Sequence, residues 1–112
     1  MALYQQVVTG DVDSLVSHLD QAIPGGSVSA KLENASDQQL GDARMVVRAY
    51  ERYSALGGNR VALTVSILSV AGQLAISMVS TGGSQAMFFK LNTWGESAFL
   101  DRGRAALRSY AG

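Results

Sequence analysis

The sequence predicts an α+β fold: one antiparallel sheet of about six strands with two helices on a single face. Three observations carry that prediction. Apolar residues alternate with small or polar ones through most of the stretch from Arg44 to Leu91, the period-two signature of half-buried strands. Glycine-rich turns at Gly57-Gly58, Ala71-Gly72 and Gly82-Gly83 cut that stretch into strand-length pieces. Segments with helical spacing of apolar residues lie near both ends of the chain.

Taken in order, Leu3 to Thr9 reads as a first strand whose two sides both carry apolar residues, so its facing stays open. Gly10 ends it. Asp11 is a suitable N-cap, Asp13 complements the helix dipole, and Val12, Leu15, Val16, Leu19 and Ile23 form an apolar stripe. Pro24-Gly25-Gly26 stops this helix. Val28, Ala30 and Leu32 alternate with Ser29, Lys31 and Glu33 as a second strand, and the polar run from Asn34 to Asp42 reads as a loop.

The central strands have the most definite faces. Val61, Leu63, Val65 and Ile67 point to the core with Leu74, Ile76 and Met78. An Ala71-Gly72 turn places Ile67 opposite Ile76 and Val65 opposite Met78. A two-residue Gly82-Gly83 hairpin would add Met87, Phe89 and Leu91 to the same face in a last strand. For the strand at 44–53, a two-residue Gly57-Gly58 loop would turn the arginines onto the core face, where unpaired charge is costly. A three- or five-residue loop is therefore expected, with Met45, Val47, Ala49 and Tyr53 inward and Arg44, Arg48 and Arg52 outward. Glu51 then falls awkwardly among the inward residues. Thr93 and Glu96 form a Thr-x-x-Glu capping box for the final helix. Its stripe is Ala98, Phe99, Gly103, Ala106, Leu107 and Tyr110, and Gly103 implies a close approach to the sheet. The first strand would pair beside the last, and the resulting order resembles TATA-binding-protein-like and helix-grip architectures.

Composition bounds the function. The 112 residues make one domain, 1–112, with no cysteine, hence no disulfide, thiolate nucleophile or Cys-based zinc site. Nine basic and nine acidic residues balance to zero, which argues against nucleic acid or an anionic membrane as partner. No run approaches the ~20 apolar residues that span a bilayer, and no signal-peptide core begins the chain, so a soluble cytoplasmic protein is expected. Charged residues make up only 16%, too few to cover a small domain in polar surface, and that points to self-association.

Chemistry-bearing residues are sparse. His18 has no neighbour at ligand spacing, and it reads as a boundary residue rather than a metal ligand or catalytic base. Neither a metal nor a cofactor is expected. The glycine pairs fit turns better than phosphate loops, although Ser84 and Gln85 add donors beside the third. Arg44, Arg48 and Arg52, with Tyr50 between two of them, are either an anion site of guanidinium forks or a solvated face paired locally to Glu33 or Glu51.

The segments RAYERYS, GGNRVALTV and TGGSQAMFFKLNTWGESAFL resemble the pattern of a small uncharacterised bacterial family, a domain of unknown function of about this length. The resemblance implies a bacterial cytoplasmic protein and carries over no activity and no catalytic residue.

The leading functional expectation is a non-catalytic protein that forms a homodimer through the outer sheet face. That face would comprise Val46, Ala62, Thr64, Ser66, Leu68, Ala75, Ser77, Val79, Ala86 and Phe88. The alternative is a small-molecule binder of helix-grip type, holding an apolar or acidic ligand between helix and sheet. A hydrolase or isomerase would need a convergent acid–base pair that the sequence does not display.

Overall fold

The computed structural model describes residues 2–26, 30–53, 60–82 and 89–111. Its elements are β1 (Ala2–Thr9), α1 (Val12–Ala22), a 3-10 turn (Pro24–Gly26), β2 (Lys31–Leu40), β3 (Ala43–Tyr53), β4 (Arg60–Val70), β5 (Gln73–Gly82) and α2 (Phe89–Ala111). The five strands form one antiparallel sheet in the order β1-β5-β4-β3-β2. β1 lies beside the last strand of the meander, as its long connection through α1 allows, and both helices cover one face.

Local chemistry explains the first helix and the best-defined hairpin. Asp11 caps α1 by accepting from the Ser14 amide at 2.9 Å, and all five residues of the expected stripe are buried. At the β4–β5 turn Ala71 and Gly72 both adopt positive φ, 52° and 80°, the conformation a two-residue hairpin of matching twist requires. Ile67 consequently faces Ile76 and Val65 faces Met78. Each fully buried aliphatic side chain here contributes about 1.5–3 kcal/mol.

Gly103 on α2 is where helix and sheet come closest. A Cβ there would stand 3.0 Å from both Leu63 Cδ2 and Met78 Sδ. The space that a helix-grip ligand would need beside Gly103 and Met78 is thus occupied by side chains. Leu100 joins Phe99, Ala106 and Leu107 in the core, whereas Ala98 is exposed.

Three expectations are corrected. The polar run from Asn34 to Leu40 is strand, not loop: it forms most of β2, an edge strand exposed along its whole length. With water on both sides it needs no apolar alternation, and the tight turn lies at Gly41, whose φ is +59°. The strand expected after Gly82 is absent from 89–91, where α2 has already begun; Met87 lies outside the described residues. Three alternating residues were too few to separate period 2 from period 3.6. Thr93 therefore lies inside α2 and is not its cap.

The third correction concerns β3. Val46 and Tyr50 are fully buried, while Met45 and Tyr53 are 45% and 58% exposed. The connection 54–59 has six residues, the same even parity as the rejected two-residue loop. Arg44, Arg48 and Arg52 accordingly share the helix-covered face with Val61, Val65 and Ile67. Their charges are tolerated there because α1 brings carboxylates to the first two and α2 brings an aromatic ring to the third. Glu51 moves to the uncovered face and pairs with Arg60.

Among the described residues Ser80 is the one buried polar residue in the core, and its hydroxyl has no hydrogen-bond partner there. Ser80→Ala should raise stability by about 1 kcal/mol, since an unsatisfied hydroxyl leaves a desolvation penalty behind. A lower denaturation midpoint in the variant would show that the hydroxyl is bonded.

Candidate functional site

Two surfaces concentrate the residues singled out in the sequence, one on each side of the sheet. The face away from the helices is covered by none of the described residues. Ala62, Thr64, Ser66 and Leu68 of β4 lie on it beside Ala75, Ser77 and Val79 of β5. Val46, expected there, is in the core instead. Ala86 and Phe88 lie outside the described residues.

What the sequence missed on this face is its apolar rim. Leu3 (59% exposed), Val7 (63%), Leu40, Met45, Tyr53 and Val70 join Leu68 there. Seven of the eight large exposed apolar side chains among the described residues thus point the same way, so the exposure is a property of one surface and not random scatter. β1 had an ambiguous pattern because it is an edge strand, apolar on both sides. Only its pairing with β5, Leu3 opposite Val79 and Val7 opposite Ala75, assigns its outward residues.

Charge on this face is confined to one corner. Arg60 pairs with Glu33 at 3.2 Å and with Glu51, and Lys31 pairs with Glu33 at 3.4 Å. Two cations and two carboxylates leave that corner neutral. The expected pairing of the arginine stripe with Glu33 or Glu51 is corrected: Arg60 and Lys31 take those carboxylates, on the other side of the sheet.

On the helix side, two of the arginines meet acids that the sequence did not pair with them. Arg44 donates from Nε to Asp37 Oδ1 at 2.9 Å and from Nη2 to Asp37 Oδ2 at 2.6 Å, a two-pronged fork, and reaches Asp13 at 2.9 Å. Arg48 Nε lies 3.3 Å from Asp20 Oδ2, and the Tyr50 hydroxyl donates to Asp20 Oδ1 at 2.5 Å. Burial, with the Asp20 carboxylate added, pushes the Tyr50 phenol well above its ordinary value. These contacts tie α1 to β3 and give both guanidiniums a carboxylate counter-charge. Seven or more residues separate each acid from its partner, so only the fold brings them together.

The Arg44 guanidinium holds the Asp37 carboxyl below its usual range. A depressed folded-state value means stability that is present above the unfolded value and lost as pH falls through the folded one. Arg44→Met should therefore be less stable than wild type near neutrality, with the gap closing below about pH 4. Urea midpoints across that range test this; a gap constant into strong acid would rule out Asp37 as the partner.

His18 sits between the helices with Nε2 2.9 Å from the Ala106 carbonyl and 2.7 Å from Ser109 Oγ. A carbonyl only accepts, so Nε2 carries the proton and donates. It is then unable to draw a proton from Ser109, whose hydroxyl also donates to Ala106 O at 2.9 Å. The pair is a clasp between α1 and α2. Among the described residues no group of three or more His, Cys, Asp or Glu side chains is placed to hold a metal, and no helix is long and apolar enough to cross a membrane. Ser84 and Gln85 lie outside the described residues.

The model of a family of unknown function, DUF6054, matches residues 1–111. The chain belongs to that family. The resemblance carried by RAYERYS, GGNRVALTV and TGGSQAMFFKLNTWGESAFL is thereby borne out as a small domain of unknown function. No curated protein matches this DUF6054 chain, and no solved structure does either.

Proposed function

We propose that this protein is a non-catalytic, self-associating module that acts as a homodimer, two copies packed sheet against sheet. The observation that supports it is the uncovered sheet face, apolar or small through its centre and charged only at one neutral corner. An antiparallel sheet face meant for water normally carries long polar side chains.

A second copy suits this face better than a charged partner does. The face is self-complementary: it brings no net charge to repel its own copy, and a two-fold axis satisfies the same patch on both sides. Its size is also sufficient. Five strands about 4.8 Å apart and about 33 Å long cover roughly 800 Å², the area that a standard stable interface buries on each partner. Small residues such as Ala62, Ser66, Ala75 and Ser77 let two sheets approach to about 10 Å, the ordinary face-to-face spacing. A cytoplasmic location belongs to the same reading.

Light scattering at micromolar concentration tests it. The reading requires twice the chain mass of 11.8 kDa; a single chain mass across that range contradicts it.

A further inference from the structure

We propose that Arg52 and Arg102 bind a small oxyanion, a carboxylate or phosphate group, above the ring of Phe99. This site lies on the helix side of the sheet, so it neither needs nor disturbs the proposed dimer face.

The two arginines stand apart from the other cations nearby. Lys31, Arg44, Arg48, Arg60 and Arg104 each have a carboxylate within 4 Å. Arg52 and Arg102 are half-buried and have none among the described side chains, which on α2 are those of residues 97–110. Arg52 stacks over Phe99 with Cζ 4.5 Å from the ring centroid, and Phe99 itself is fully buried. A cation held over a ring face is restrained in position, and the in-plane N–H groups of a guanidinium form the fork that fits two oxygens of one anion.

Arg102 approaches from α2. Its Nη2 donates to the Ala22 carbonyl at 2.6 Å, closing the C-terminal turn of α1, while its Nε is buried with no acceptor among the described residues. Arg102 lies three residues after Phe99 on α2, so the two side chains leave neighbouring turns on one helix face, with Arg52 over the first of them. Burial first, and the Arg102 charge second, lower the Arg52 pKa from its ordinary value. Two half-buried like charges with no counter-ion among the described side chains raise the free energy of the folded state. An oxyanion between them would supply the missing charge and accept from both forks. Arg44 and Arg48 differ in that Asp13, Asp37 and Asp20 already supply their counter-charge.

The test is titration of the wild-type protein with sodium phosphate, and separately with sodium acetate, against sodium chloride at matched ionic strength. The arginine side-chain Nε–Hε resonances are followed by NMR and the melting temperature in parallel. The proposal requires saturable shifts of the Arg52 and Arg102 resonances with Arg108 unmoved, and a saturable rise in Tm. Arg52→Gln and Arg102→Gln should each weaken the apparent affinity at least tenfold, whereas Arg108→Gln should not. Response to phosphate alone assigns a phosphate-bearing ligand; response to acetate as well assigns carboxylates. Shifts no larger than those in chloride, or equal affinity in wild type and both glutamine variants, overturn the site. The resonance shifts are read on the unaltered protein, so the test stands even if a variant folds poorly.

Discussion

Val79→Asp should convert the proposed dimer into a soluble monomer. Val79 lies on the uncovered face between Leu3 of β1 and Thr64 of β4, and a two-fold interface buries the new carboxylate twice. Stripping water from an unpaired carboxylate costs several kcal/mol. A loss of about 3 kcal/mol already raises Kd roughly 100-fold, enough to separate the copies at micromolar concentration. In the monomer the aspartate would stand half in water, so the far-UV circular dichroism should not change. Sedimentation velocity decides it. An unchanged dimer mass would move the interface elsewhere, first to the outer edge of β1, which carries no charge along its eight residues. The β2 edge is defended by Lys31, Glu33, Asp37 and a bulge between Leu32 and Asn34.

Phe99→Ala should give the largest loss of stability, about 3–5 kcal/mol. Its ring is fully buried in the shared core of helices and sheet, and it supports the Arg52 guanidinium from beneath. The alanine leaves a cavity and lets water reach a charge that had a fixed platform. Chemical denaturation measures the effect. A shift under about 1 kcal/mol would mean that α2 does not seat this residue in the core.

How much of this was legible in the sequence depends on how many neighbours each element has. β4 and β5, with a strand on each side, carried their full alternation, and their register followed from one two-residue turn at Ala71-Gly72. α1 was readable because Asp11 and the stripe from Val12 to Ile23 agree with each other. β2 was not readable: a strand whose residues all meet water has no apolar period to detect. The facing of β3 was missed because unpaired arginine was assumed on the core side. Asp13, Asp20 and Phe99, which make that side acceptable, come from other elements. The start of α2 was missed because Thr93 and Glu96 imitate a cap inside a helix that begins at Phe89.

The candidate site divides along the same line. The small central residues Thr64, Ser66, Ala75, Ser77 and Val79 were placed correctly, since they belong to the two readable strands. Leu3, Val7, Met45 and Tyr53 were not, since their direction is set by pairing partners far along the chain. Arg52 was legible as a candidate for an anion site, but its association with Arg102 was not, since the two lie 50 positions apart and on different elements.

The most direct test of the sheet-to-sheet dimer uses the absence of cysteine from the chain. Ser66→Cys places a single thiol at the centre of the uncovered face, and Ser17→Cys places one on the exposed side of α1 as a reference. Maleimide labelling rates are then compared across a dilution series, alone and in the Val79→Asp background. The account predicts that the Ser66→Cys thiol is protected at micromolar concentration, is released on dilution, and reacts freely beside Asp at 79, while the Ser17→Cys thiol reacts at one rate throughout. Equal, concentration-independent rates at both positions would contradict it.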